Sequence, residues 1–199
     1  MRWFRRAICI ASGLSALLAA AAPASAGVTE RTIYYKIGGR TGIEMYQEMN
    51  RKGPRHGFLT KAIAQTQFET NLRGDVVFRK GVCRTEGAGF DLTITYVYPQ
   101  PTQRLSPSMA RRWKAFQATN VDHERAHGAI AKKMAAEIDR HMKRFAMKDG
   151  KECRRAIAVL GRSIDGIILR YNKAQTDYDA REHRAGGPVE KSILDLVRD

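Results

Sequence analysis

The sequence predicts an α+β domain: a small, mainly antiparallel sheet with a helical hairpin that carries a metal site. Three observations predict it. Period-two alternation is concentrated before residue 101. Stripes of apolar residues spaced three and four apart begin after Ser106. Asp149-Gly150 divides that second half into two helices, which short connections make antiparallel neighbours.

The elements follow in order. Ile33-Tyr34-Tyr35-Lys36-Ile37 is β-rich and ends at the turn residues Gly38-Gly39. Thr41 is positioned to cap a helix over Gly42 to about Arg51, and Glu44 three residues on completes a capping box. Gly53-Pro54 stops that helix. Ala64, Thr66, Phe68 and Thr70 alternate in a strand predicted from Ala62 to Leu72. Arg73-Gly74-Asp75 reads as a turn, and Val76 to Arg79 as the next strand. Phe90, Leu92, Ile94, Tyr96 and Tyr98 place five large side chains on one face of the clearest strand. About four strands are expected.

Ser106-Pro107 then opens a long helix, with Ser as N-cap and Pro at the first helical position. Its stripe passes through Trp113, Phe116, His123, His127, Ile130, Met134 and Ile138. A second stripe runs Cys153, Ile157, Leu160, Ile164, Ile167, Tyr171, Ala174, Tyr178.

Residues 1–26 have the form of a secretory signal peptide. Arg2, Arg5 and Arg6 precede a short apolar run, and Ala24-Ser25-Ala26 is a small-x-small cleavage site. Residues 27–199 are then a single domain, and no stable membrane anchor is expected once the signal is removed. The chain has 35 basic and 20 acidic residues, a net charge of +15; losing the three signal arginines leaves 15 − 3 = +12. The basic residues are scattered, without aromatic interleaving or a nucleic-acid-binding motif, so nucleic acid is not an expected partner. Anionic envelope material or acidic substrates fit the charge better. Cys9 falls within the signal; Cys83 and Cys153 remain, and an exported chain with two cysteines predicts one disulfide.

His123-Glu124-Arg125-Ala126-His127 is an H-E-x-x-H sequence on the long helix. Residues four apart lie on one face, so both imidazoles can reach one ion. Zinc is the expected metal, and Glu124 the base that takes a proton from the attacking water. A third protein ligand is required. About 38 Å of helix separates His123 from the break, and an equal return reaches about residue 176. Three residues there can ligate: His183, favoured because imidazole suits zinc, Asp179 or Glu182. Glu137 and His141 lie too many turns away to share the ion. Tyr178 can donate to a tetrahedral oxyanion or can simply pack the helix. Asp122 or Asp179 can orient an imidazole. This pattern predicts a secreted or periplasmic zinc metallopeptidase acting on peptide or protein. The alternative is a periplasmic metal-containing binding protein without turnover.

The chain resembles the DUF922 family, predicted secreted zinc-dependent proteases of bacteria. The resemblance rests on Tyr34-Tyr35-Lys36-Ile37-Gly38-Gly39-Arg40-Thr41, on Gly53-Pro54, on Cys83, and on Trp113-Lys114-Ala115-Phe116 ahead of the H-E-x-x-H sequence. It covers nearly all of the predicted mature chain and implies proteolysis by the same zinc chemistry. Ala126 stands where the family often has Gly. Of the family's C-terminal Tyr-Asp-x-x-Thr-x-His-Gly, Tyr178 and Asp179 match. Glu182 replaces Thr, His183 is displaced by one position, and Arg184-Ala185 stand in place of His-Gly.

Overall fold

The computed structural model describes residues 27–56 and 60–198; the predicted signal peptide lies outside the described residues. The elements are β1 (Val28–Ile37), α1 (Gly42–Lys52), β2 (Arg55–His56), β3 (Thr60–Lys61), β4 (Gln65–Arg79), β5 (Val82–Pro101), α2 (Pro107–Arg144), β6 (Ala146–Lys148), α3 (Arg154–Glu182) and α4 (Pro188–Val197).

The sheet is organised around β5, the strand with the clearest alternation. On one edge β4 runs antiparallel to it, from Gln65 opposite Val97 to Arg79 opposite Val82. On the other edge β1 runs parallel, Val28 opposite Leu92 through Ile37 opposite Pro101. The short β6 pairs antiparallel with Val82, Cys83 and Arg84. The sheet is therefore mixed, with antiparallel pairings in the majority. β2 and β3 form a separate antiparallel pair.

One expectation about the strands is corrected. Arg73-Gly74-Asp75 is no turn: β4 continues through it with a bulge between Arg73 and Asp75. Gly74 has φ +106°, and a Cβ there would lie 2.7 Å from the Glu86 carbonyl oxygen. Glycine thus permits a kink without ending the ladder. The true reversal is at Lys80-Gly81, both with positive φ (50° and 82°), as a two-residue primed hairpin turn requires.

The helix caps are those expected. The Glu44 amide donates to Thr41 Oγ1 (3.3 Å), and the Thr41 amide to Glu44 Oε2 (3.2 Å). The Met109 amide donates to Ser106 Oγ at 3.3 Å. α2 stops at Arg144, short of the expected break at Asp149-Gly150. The start of β5 has an edge that β1 does not reach, and residues 146–148 leave the helix to pair with it. α4 was not anticipated; Gly187-Pro188 starts it, and it buries Leu196 completely.

Three apolar clusters hold these layers together. The largest sets Phe90, Leu92, Ile94, Tyr96 and Tyr98 of β5 against Ala131, Ala135, Ile138 and Met142 of α2 and Leu160, Ile164 and Ile167 of α3. A second joins Ile37, Met45, Met49, Met109, Phe116 and Leu196, and so docks α1 and α4 on the start of α2. The third surrounds a Cys83–Cys153 disulfide, which ties β5 to the start of α3. No helix among the described residues is long and apolar enough to cross a membrane.

Candidate metal centre

α2 runs across β5, and the H-E-x-x-H turn is pressed onto the sheet. Gly128, directly after that turn, makes the close approach possible: a Cβ there would lie 2.1 Å from Tyr96 Oη. Tyr96 is itself fixed, donating to Glu30 Oε1 at 3.0 Å. His123, Glu124 and His127 are consequently buried, at 8%, 6% and 9% exposure. The last two turns of α3 face them from the antiparallel direction, as the hairpin geometry predicts.

The donor atoms converge. His123 Nε2 and His127 Nε2 are 3.1 Å apart. Asp179 Oδ1 lies 2.9 Å from His127 Nε2 and 3.3 Å from His123 Nε2. His183 Nε2 is 4.0 Å from the same carboxylate oxygen. Ligand atoms of His123, Asp179 and His183 all lie within 4.8 Å of one another, a grouping that can hold a metal ion. Of the three residues weighed as further ligands, Asp179 and His183 belong to this grouping and Glu182 does not; His127, also outside it, meets it through Nε2, 3.1 Å from His123 Nε2 and 2.9 Å from Asp179 Oδ1. Asp122 is exposed on α2. Glu137, as expected, is engaged elsewhere, accepting from Tyr171 Oη and Arg170.

Gln175 fixes which ring nitrogen of His127 faces the cluster. Its Nε2 donates to the His127 carbonyl oxygen at 3.0 Å. The other amide atom, Oε1, therefore faces His127 Nδ1, at 2.5 Å, and accepts its proton. With Nδ1 turned to Gln175, Nε2 is the ring nitrogen that faces His123 and Asp179. Burial, then repulsion from His127 and His183, lowers the His123 pKa to about 4 despite the opposing pull of Asp179. Two imidazole nitrogens and a carboxylate oxygen thus meet at about 3 Å from one another, a donor set that can hold a metal ion.

Glu124 stands beside this cluster without joining it. Thr66 Oγ1, from β4, donates to Glu124 Oε2 at 2.6 Å. Burial raises the Glu124 pKa, while the Thr66 hydrogen bond and His127 oppose the rise. The Tyr178 ring packs against both imidazoles, with centroids 5.1 Å from His123 and 5.2 Å from His127. Burial and the neighbouring Glu182 and Glu124 carboxylates raise its phenol pKa and keep it a donor. The Arg181 guanidinium lies over the same ring, 5.5 Å from its centroid.

Sequence reasoning did not single out Gln175 or Thr66 for the site. A lone Gln in a polar helix end and a Thr in a strand have no local signature. Their roles arise only where α3 and β4 meet α2.

Residues 32–187 match the family model described as bacterial protein of unknown function, DUF922. No curated protein and no solved structure matches the chain. The match spans β1 through the turn before α4 and includes every residue of the cluster, and the chain belongs to the DUF922 family.

Proposed function

We propose that the protein is a zinc-dependent metallopeptidase of the periplasm or the cell exterior. The observation that carries this reading is the convergence of His123 Nε2, His127 Nε2 and Asp179 Oδ1, at 2.9 to 3.3 Å from one another, beside the buried Glu124. Zinc–donor distances of roughly 2.0–2.1 Å in a tetrahedron separate ligand atoms by roughly 3.3 Å. The donor set of two imidazoles and one carboxylate therefore fits zinc in both chemistry and spacing. When bound, zinc supplies a Lewis acid that polarises a carbonyl and acidifies water.

The chain's own residues supply the rest. Glu124 is the general base: Oε2 is held by Thr66, which leaves Oε1 to take the proton of the attacking water and return it to the leaving amine. Its raised pKa suits both halves of that task. Gln175 keeps His127 in the tautomer that offers Nε2 to the ion. Tyr178, whose ring packs against both imidazoles, is the donor to the developing oxyanion in this reading. Among the described residues β4 pairs with β5 alone, and β4 is the strand whose Thr66 touches Glu124. An extended peptide adding there as a further strand would bring a scissile bond to the cluster. Export is supported by the disulfide, which suits an oxidising compartment. The excess of basic residues favours acidic peptide or protein substrates and anionic envelope material as surroundings.

The test is zinc content together with peptide hydrolysis, in wild type and Glu124→Gln. We expect about one zinc per chain in both and an activity lower by about 10²-fold or more in the variant. Zinc-loaded wild type that cleaves nothing in a broad peptide library would favour a metal-containing binding protein instead.

A further inference from the structure

The cluster has one donor more than an open catalytic site needs. Structural zinc sites carry four protein ligands, whereas catalytic ones carry three and keep a position open. His123, His127 and Asp179 supply three. His183 brings a fourth donor beside Asp179 and His123, 4.0 Å from Asp179 Oδ1, with its ring centroid 5.1 Å from that of His123.

We infer that His183 is a displaceable fourth ligand, which closes the zinc site in the resting protein and leaves it when substrate arrives. The inference rests on the zinc reading above. Three observations separate His183 from the other donors. The His123 and His127 side chains are 9% and 11% exposed in the middle of a long, capped helix, whereas the His183 side chain is 55% exposed. His183 is the C-cap of α3, with non-helical dihedrals of φ −93° and ψ 3°, so its ring can swing without unwinding a turn. It is also the most distant donor: its 4.0 Å from Asp179 exceeds the roughly 3.3 Å edge of a zinc tetrahedron, which the other three match. A ligand that sits slightly long, on a helix terminus, in contact with solvent, is the one that yields. Its departure opens the fourth position beside Glu124 and Tyr178, where a substrate carbonyl can enter.

The experiment uses cobalt(II) in place of zinc, read by visible absorption, in the full mature chain. In wild type the tetrahedral spectrum should change little on adding azide. His183→Ala should fold normally by circular dichroism and still take up cobalt, but with a shifted spectrum. It should bind azide on the order of tenfold more tightly, and added imidazole should restore the wild-type spectrum. His183→Cys should show a sulfur-to-cobalt charge-transfer band, because a thiolate at this position would reach the ion. Identical spectra and azide affinities in wild type and His183→Ala, with no such band in His183→Cys, would overturn the inference while leaving the three-ligand site intact. Failure of wild type to take up cobalt or zinc at all would instead overturn the metal reading on which it rests.

Discussion

The α2–α3 hairpin has two ends with opposite chemistry. At the end near the α2–α3 connection, Cys83, Cys153 and Ala156 are at most 2% exposed, and Val76, Phe78, Phe145 and Met147 pack around them. The side chains that meet there are apolar or covalently joined. At the other end, His123, Glu124 and His127 are almost as deeply buried, yet they are polar. Buried polar groups are tolerable only with partners. Gln175, Thr66 and Asp179 are those partners, and the proposed zinc would complete the set. One end of the hairpin is thus a fastener and the other a candidate metal site, and α3 contributes to both.

If the two ends are independent, they can be broken separately. The largest effect should come from the disulfide. Cys83→Ala with Cys153→Ala opens a link spanning 70 residues of sequence and should cost roughly 4 kcal/mol in the chain-entropy picture. Chemical denaturation should show that loss, while zinc affinity in the still-folded protein changes little. A collapse of zinc affinity in proportion to stability would mean that the fastener also sets the site.

Gln175→Leu should do the reverse. It removes the acceptor for His127 Nδ1–H and the donor to the His127 carbonyl. Zinc affinity should fall roughly 10–100-fold, the usual result of losing an outer-shell partner of a ligating His, with a much smaller change in stability. Competition with a chromophoric chelator measures it. Gln175→Glu, which keeps the acceptor, should recover most of the affinity.

The smallest effect belongs to Asp149, at the connection between the helices. Its carboxylate accepts from the Gly150 and Ala156 amides, each at 2.8 Å, and these bonds hold its pKa below the ordinary 3.8. The lowered pKa means that its stabilising contribution is complete above the unfolded value and disappears as pH falls through the folded one. Asp149→Asn should therefore destabilise slightly at pH 7, and the difference from wild type should shrink in acid below about pH 4. A difference that is constant with pH would mean the hydrogen bonds survive protonation.

What was legible in the sequence is local. The capping box at Thr41 and Glu44, the Ser106-Pro107 start, the one-faced run from Phe90 to Tyr98 and the four-residue spacing of His123 and His127 each express geometry internal to one element. The Cys83–Cys153 pairing followed from there being only two cysteines after the predicted signal. Tertiary structure decided everything that depends on two segments meeting. β1 lies parallel to β5 because its partner is some 64 residues away, and no alternation pattern encodes direction. Gly74 became a bulge because the strand opposite continues past it. α2 yields its expected last turn to β6 because the edge of β5 offers backbone hydrogen bonds there. At the site, helix periodicity alone brings the end of α3 to His123. Only the packed geometry places both Asp179 and His183 at the cluster, and recruits Gln175 and Thr66, because ligand distances are set by how two helices and a strand dock, to within an ångström that no spacing in the sequence records.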